Sequence, residues 1–264
     1  MRAIKVDLPR SLKYIEIYAL SDLHLGDRNC NHRELLDLVK QIEGNKNAYV
    51  ILNGDLINNA TTQSISDTYG ETISPMEQLK QATALFKPIK DKILAITSGN
   101  HENRTYRADG IDLTEIMACE LGLSGRYSPE SVTLFLRLGE VSNNKKIAGK
   151  DKIRQVCYTL FITHGSGGGR REGGKVNRLV DLSSIIDADI YIHSHTHLPA
   201  VLKQAFYRAD SKNSTIALVD KMFVNTNAWL NYGGYGEAQG YKPASIATPT
   251  IYLDGSRKKF TAKL

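Results

Sequence analysis

The chain has 264 residues, a mass of 29.3 kDa and a hydrophobic content of 41%, which is enough to build one large α/β domain over residues 1–264. The chain has three isolated cysteines and no apolar signal segment in residues 1–9, which argues against a disulfide-rich secreted protein. It has no apolar run long enough to span a bilayer. We therefore expect a cytoplasmic chain with no membrane partner. The formal net charge of +6 and the pI near 9.1 favour a polyanionic partner, although many basic proteins bind no nucleic acid.

The apolar patterns alternate between strand and helix along the first half of the chain. The strands predicted there are 14–20, 49–52 and 93–97, and the helices are 33–42, 76–86 and 113–121. Two β-rich runs follow at 132–138 and 156–163, separated by a spacer with the polar residues 143–146 that we interpret as a loop or hairpin insert. The later elements are a helix at 175–186 and strands at 189–192, 200–207, 215–218, 222–224 and 250–253.

Five of the predicted strands end in histidine, aspartate or asparagine. The residues at these ends are, in chain order, Asp22, His24, Asp55, Asn100, His101, His164, His195 and His197. Groups just past the carboxyl ends of strands in a mostly parallel sheet converge in one crevice, so we expect these side chains to surround one ligand. Of the seven histidines, only His32 stands apart, near a predicted helix start.

The side chains at these strand ends form a ligand set for divalent metals. Imidazole, carboxylate and amide oxygen suit Mn, Fe, Zn or Co, and no cysteine belongs to the set. Asp22 and His24 are separated by one residue, as are His195 and His197, so each pair is expected on one side of an extended segment. These two pairs and three single donors, seven in all, exceed the needs of one tetrahedral ion. They predict two ions that share one carboxylate.

The order of these motifs resembles the calcineurin-like metallophosphoesterase superfamily, whose signature runs D-x-H, GD, GNH(E/D), H and GHxH. The matching stretches are Asp22-Leu23-His24, Gly54-Asp55, Gly99-Asn100-His101-Glu102, His164 and Ser194-His195-Thr196-His197. The resemblance spans residues 14 to 197, and within the metal-binding stretches it departs from the pattern only at Ser194, where the family usually has glycine. It implies an α/β fold of two packed mixed β-sheets flanked by helices, in four αββα layers.

The resemblance also implies a role for each matched residue. Asp22, His24 and His197 would hold one metal, and Asn100, His164 and His195 the other. Asp55 would bridge the two ions, for which Mn is favoured and Fe, Zn, Co and Ni are alternatives. His101 is not a metal ligand in this family, and its counterpart assists the leaving group. The family pattern has no ligand at His193, so a structural role is expected there.

Basic residues near these motifs are candidates for binding a substrate phosphate. Arg170 and Arg171 belong to the glycine-rich segment 165–174, which leaves directly from His164. Arg104 lies just beyond the Asn100-His101-Glu102 stretch. A surface loop and solvated charges explain these residues nearly as well.

The resemblance favours one branch of the superfamily over another. Serine/threonine phosphoprotein phosphatases carry GDxVDRG around the bridging aspartate, but here Asn58 stands where the aspartate that orients the catalytic histidine would be. Residues 21–26 look more like the nuclease-type members, although the chain is short for their DNA-capping domain. We expect a phosphodiesterase that acts on DNA, RNA or nucleotides through a metal-bridging hydroxide. The alternatives are a broad phosphomonoesterase and a non-catalytic metal-containing scaffold, against which the intact His101 argues.

Overall fold

The computed structural model describes residues 1–62, 64, 68–141, 154–167 and 169–264. The strands of these residues are β1 (Arg2–Asp7), β2 (Tyr14–Leu20), β3 (Ala48–Asn53), β4 (Ile93–Thr97), β5 (Tyr127–Ser128), β6 (Ser131–Leu138), β7 (Val156–Thr163), β8 (Ile190–His193), β9 (Ala200–Asp210), β10 (Thr215–Asn225), β11 (Thr250–Asp254) and β12 (Phe260–Lys263). The helices are α1 (His32–Gly44), α2 (Pro75–Phe86), α3 (Glu102–Asp109), α4 (Leu113–Glu120), α5 (Glu172–Asp181) and α6 (Gly234–Ala238). The predicted spacer containing residues 143–146 lies outside the described residues.

The strands form two six-stranded mixed sheets. The first sheet has the order β12-β11-β2-β3-β4-β5, in which β2 to β5 are parallel and β11 and β12 are antiparallel neighbours. The second sheet has the order β1-β6-β7-β8-β10-β9, with β7, β8 and β10 parallel to one another. The carboxyl ends of β2, β3 and β4 therefore lie along one edge of the first sheet, and those of β7 and β8 lie along one edge of the second.

The packing of the apolar side chains shows four layers. Alternate residues of β2 point to opposite faces, so Ile15 and Ile17 pack between the two sheets while Leu20 packs against the helices. The outer face of the first sheet is covered by α1, α2 and α4. The outer face of the second sheet packs Phe161 and Tyr191 against Leu179 of α5. This arrangement confirms the fold of two packed mixed sheets flanked by helices.

Two predicted boundaries are wrong. The helix predicted at 175–186 begins earlier, at Glu172, and ends at Asp181, before a short 3-10 turn at Leu182–Ser184. Ser183 Oγ and Ser184 Oγ donate to the carbonyls of the last helical turn, which offers the backbone an alternative to continuing the helix. The strands predicted at 215–218 and 222–224 are one strand, β10, paired along its whole length with β9. Its polar interruption at Asp220 is accommodated by an ion pair of 2.7 Å with Lys203.

Several short or polar elements were not predicted. These are β1, β5, β12, α3 and α6. The sequence of α3 has only one buried residue, Glu102, so it lacks the apolar face on which a helix prediction depends. Its end is marked by Gly110 in the left-handed conformation, with φ of 71°. Among the described residues, no helix is long and apolar enough to cross a membrane.

Candidate metal centre

The strand ends of both sheets bring the predicted ligands together. The first sheet supplies Asp22 and His24 after β2, Asp55 after β3 and Asn100 after β4, and the second supplies His164 after β7 and His195 and His197 after β8. The donor atoms of Asp22, His24 and His197 lie within 4.8 Å of one another, as do those of Asp55, His164 and His195. These two groups correspond to the two predicted ions, with Asp55 in the second. A third group within the same distance contains His24, Asp55 and His101, so Asp55 also lies close to a donor of the first group.

Short distances join the two sheets at this site. Asp22 Oδ1 lies 3.0 Å from His197 Nε2, and Asp55 Oδ2 lies 3.2 Å from His164 Nε2. His164 Nε2 is also 3.2 Å from Asn100 Oδ1. In the other group, the Nε2 atoms of His24 and His197 are 3.4 Å apart. Each of these separations places two potential ligand atoms close enough to share one cation.

The backbone at these positions departs from the expected extended conformation. Five of the predicted ligands have positive φ, and they are Asp22 (50°), His24 (49°), Asp55 (51°), His195 (67°) and His197 (55°). Such values are uncommon outside glycine, cost on the order of 1–3 kcal/mol each and cluster at functional sites. The paired ligands are therefore aimed by left-handed turns beyond the strands, and not by strand alternation.

One close approach in these turns requires glycine. A Cβ atom at Gly99 would lie 2.1 Å from Asp55 Oδ1. The turn before Asn100 can therefore pass beside the Asp55 carboxylate only because Gly99 has no side chain.

Buried atoms without a hydrogen bond indicate that the site fits a divalent cation. Asp22 Oδ1, His24 Nδ1 and His195 Nδ1 are buried and form no hydrogen bond among the described residues, and Asp22 Oδ1 has only its ion-pair contact with His197. A buried polar atom without a partner costs about 1–3 kcal/mol, so its presence calls for an explanation. Carboxylate and imidazole donors grouped in this way are suited to divalent metal binding.

The electrostatics of the site favour the neutral, metal-binding form of His24 and His195 and couple His164 to Asp55. Burial lowers the pKa of His24 well below its ordinary value, and burial together with the His164 charge lowers the pKa of His195 to about 4. Burial also opposes a charge on His164, but the Asp55 carboxylate outweighs it and raises the pKa of His164 to about 10. For Asp55, burial is likewise outweighed, and His164 holds the pKa of this carboxyl well below its usual range. His164 and Asp55 therefore stabilise each other's charged forms.

His101 lies beside the metal ligands at the start of α3. Its Nδ1–H donates to the backbone carbonyl of Asn58 at 2.6 Å, and its Nε2 accepts from Arg104 Nη2 at 2.9 Å. The Nε2 atom is also 3.9 Å from Asp55 Oδ2. The main-chain carbonyl of Asn58 therefore orients His101. Sequence analysis considered only the side chain at position 58 and did not predict this contact. The Asn58 side chain instead donates to Glu71 at 2.5 Å.

Glu102 is a buried residue of the site to which sequence analysis assigned no role. Its carboxylate accepts the backbone N–H groups of Asp55 (3.0 Å), Leu56 (2.6 Å), Ile57 (3.2 Å) and Gly99 (2.9 Å). Burial and the nearby Asp55 charge raise its pKa to about 7. Glu102 thus joins the loop that carries Asp55 to the loop that carries Asn100. The acidic position of the GNH(E/D) motif was the available signal.

Ser194 replaces the usual glycine without displacing a ligand. Its buried hydroxyl accepts from Asn53 Nδ2 at 2.6 Å, and this bond joins the end of β3 in the first sheet to the turn after β8 in the second. His193, one residue earlier, pairs its Nδ1 with Asn225 Oδ1 at 2.8 Å. His193 is not part of the grouped donors in the described residues.

The predicted phosphate-binding arginines lie in different surroundings. The Arg104 guanidinium is partly buried next to His101 and also donates to the Asn58 carbonyl at 3.0 Å. Arg170 is exposed, with its guanidinium 5.9 Å from the ring centre of Tyr241. Arg171 is exposed immediately before α5. Of the glycine-rich segment, Gly168 lies outside the described residues, and residues from Glu172 onward are helical.

Comparison with known proteins identifies the class. A family model described as calcineurin-like phosphoesterase matches residues 15–199. The match covers more than half of the chain and includes every grouped ligand, and the chain belongs to this family. A comparison with curated protein sequences finds no match.

Several solved structures are similar at low identity. A predicted phosphoesterase from Streptococcus pneumoniae TIGR4 is 13% identical, with 96% of this chain and 90% of that chain covered and a TM-score of 0.38. Vps29 from Entamoeba histolytica, in complex with zinc, is 11% identical over 94% of this chain and 97% of that chain, with a TM-score of 0.37. GAP50 of Plasmodium, described as an anchor in the inner membrane complex, is 9% identical over 95% and 84%, with a TM-score of 0.44. These similarities are too distant to assign a substrate.

Proposed function

We propose that this chain is a dinuclear metal-dependent phosphodiesterase that acts on nucleic acid or nucleotides. The observation that carries the proposal is the meeting of metal donors from two sheets: six are grouped, Asn100 Oδ1 lies 3.2 Å from His164 Nε2, and His101 lies 3.9 Å from the Asp55 carboxylate. A site that only stored metal would not need a further imidazole held beside it by Asn58 and Arg104. The free thiols of Cys30, Cys119 and Cys157 support a cytoplasmic location.

The donors divide into two sets that would each hold one ion. Asp22, His24 and His197 form the first set, and Asn100, His164 and His195 form the second, with Asp55 shared between them. Manganese is favoured by the oxygen and imidazole donors, and Fe, Zn, Co and Ni are alternatives. When bound, such ions neutralise charge on a phosphoryl oxygen and lower the pKa of an attacking water.

His101 and Arg104 carry the remaining chemistry. Because Nδ1–H is committed to the Asn58 carbonyl, Nε2 is the ring nitrogen that can carry a proton for the leaving oxygen, once the Arg104 N–H that donates to it turns to the substrate. The Arg104 guanidinium, 2.9 Å from Nε2, lies where it can bind an anionic phosphoryl oxygen once substrate enters. Arg170 and Arg171, at the start of α5, would extend this contact along a polyanionic substrate. The net charge of +6 agrees with such a substrate.

The decisive experiment compares substrates on protein loaded with Mn, Zn, Co, Ni or Fe. We expect hydrolysis of bis-p-nitrophenyl phosphate and cleavage of single- or double-stranded oligonucleotides. Turnover of p-nitrophenyl phosphate without diester hydrolysis would instead make the protein a phosphomonoesterase. Phosphate binding without turnover of any ester would make it a non-catalytic phosphate-binding scaffold. Either result contradicts the proposal.

A further inference from the structure

A lysine outside the matched motifs is tied to the peptide between two metal ligands. Lys175 lies in the first turns of α5, and its Nζ donates to the carbonyl of Thr196 at 2.8 Å. Thr196 is buried between His195 and His197, which belong to the two donor groups of the centre. We infer that Lys175 binds the phosphoryl group of the substrate, a role that rests on the proposed function.

Lys175 forms no ion pair within the described residues, although the charge of Glu172 acts on it. Glu172, one turn earlier on the same helix, is paired with Lys242 Nζ at 2.6 Å. Within the described residues, no carboxylate lies within 4.0 Å of the Lys175 ammonium. An ammonium group has three N–H donors, and Thr196 takes one of them. Two N–H donors therefore remain available to an anion.

The position of Lys175 strengthens its effect on an anion. The side chain is partly buried. Water screens a partly buried charge less than an exposed one, so its attraction to a phosphate is stronger. The bond to Thr196 holds the ammonium in place before substrate arrives, which reduces the ordering cost on binding.

The contrast with the nearby arginines supports the assignment. Arg170 and Arg171 are exposed, and Arg170 lies over Tyr241. In the part of segment 165–175 that the structure describes, Lys175 is the cation with a hydrogen bond to the loop of His195 and His197. Sequence analysis assigned it no role because a lysine early in a helix is usually a solvated charge.

Three substitutions separate a role of the charge from a role of the hydrogen bond. Lys175→Met removes both, Lys175→Gln keeps an N–H donor for Thr196 without the charge, and Lys175→Arg keeps the charge. On manganese-loaded protein, we expect Lys175→Met and Lys175→Gln to weaken inorganic phosphate binding, measured by calorimetry, by about tenfold to a hundredfold. The KM for bis-p-nitrophenyl phosphate should rise by a similar factor, with a smaller change in kcat and unchanged manganese content. Lys175→Arg should restore most of both values.

Lys80→Met is the matched control. Lys80 is exposed on α2 and is paired with Glu77 at 3.7 Å. Lys80→Met removes one positive charge, as Lys175→Met does, but at a position outside the centre. Phosphate affinity and KM should therefore stay at wild-type values. Unchanged phosphate affinity in Lys175→Met overturns the inference, as does full rescue by Lys175→Gln. A wild-type protein that binds no phosphate also overturns it. If wild-type protein binds phosphate through Lys175 but hydrolyses no ester, the proposed function fails and this inference stands.

Discussion

The two sheets contribute different chemistry to the same centre. The first sheet provides both carboxylates, Asp22 and Asp55, and the second provides three imidazoles, His164, His195 and His197. The negative charge that attracts a cation therefore comes from one half of the molecule, and most of the nitrogen donors come from the other. A cation at the centre would join the two sheets at the edge where their strands end. Metal affinity and the packing of the sheets are consequently coupled.

The largest expected effect comes from the carboxylate that contacts the second sheet. Asp55→Asn removes the charge beside His164 and the ligand that would be shared between the ions. We expect turnover of bis-p-nitrophenyl phosphate to fall by about a thousandfold or more, because this charge holds the cations that stabilise the transition state. Elemental analysis should show reduced manganese content. Asp37→Asn, at an exposed position of α1, is the control, and a fully active Asp55→Asn protein contradicts the shared-ligand role.

The next effect tests the imidazoles of the second sheet. His164→Ala removes a donor that lies 3.2 Å from both Asp55 Oδ2 and Asn100 Oδ1. We expect a loss of rate of about a hundredfold to a thousandfold, together with reduced manganese content, since the second donor group then has one ligand fewer. His32→Ala, at the first residue of α1 and outside the centre, should behave as wild type. Full metal content in His164→Ala would show that the other donors hold the ions without His164.

A smaller effect separates chemistry from metal binding. His101→Ala removes the imidazole held between Asn58 and Arg104 while leaving all seven donors in place. General acid catalysis typically contributes about 10²–10⁴-fold, and we expect a loss near the lower end with unchanged manganese content. Loss of manganese from this variant would make His101 a ligand. An unchanged rate would remove it from the mechanism.

Much of the centre was predictable because its residues follow strands with strong apolar patterns. The runs ending before Asp22, Asn100 and His164 correspond to β2, β4 and β7 with the predicted bounds. A motif order shared with a known family then grouped residues that are far apart in the sequence. The edge strands β1, β5 and β12 were not predicted, since short strands carry little pattern.

Other features depend on backbone contacts that side-chain patterns do not encode. The left-handed turns at His195 and His197 have no signature in the alternation of side chains, which predicted an extended segment there. The Asn58 carbonyl orients His101, so the identity of the side chain at position 58 gave no indication of that contact. Arg170 and Arg171 were selected for their charge and their proximity to His164 in sequence, and their contribution to substrate binding stays a prediction.

Glu102 offers the most specific test of the difference between the sheets, because its hydrogen bonds reach only loops of the first sheet. Its carboxylate accepts backbone N–H groups from the Asp55 loop and from Gly99, so it sets the separation of Asp55 and Asn100 without touching the second sheet's histidines. Glu102→Gln keeps the shape but turns an N–H₂ group toward backbone donors. Outer partners of metal ligands are typically worth about tenfold to a hundredfold in metal affinity, and we expect a loss near tenfold in manganese titrations, with kcat at saturating metal reduced less.

Glu115→Gln, at an exposed position of α4, is the control for this substitution and should leave manganese affinity unchanged. Glu102→Asp sharpens the test, because it keeps the charge but shortens the reach to the four N–H groups. If the position of the carboxylate matters as well as its charge, Glu102→Asp should also bind manganese more weakly than wild type. If Glu102→Gln and Glu102→Asp both bind manganese as wild type does, the two loops hold their ligands in place without this carboxylate. The difference between the sheets then lies only in the ligands that each one provides.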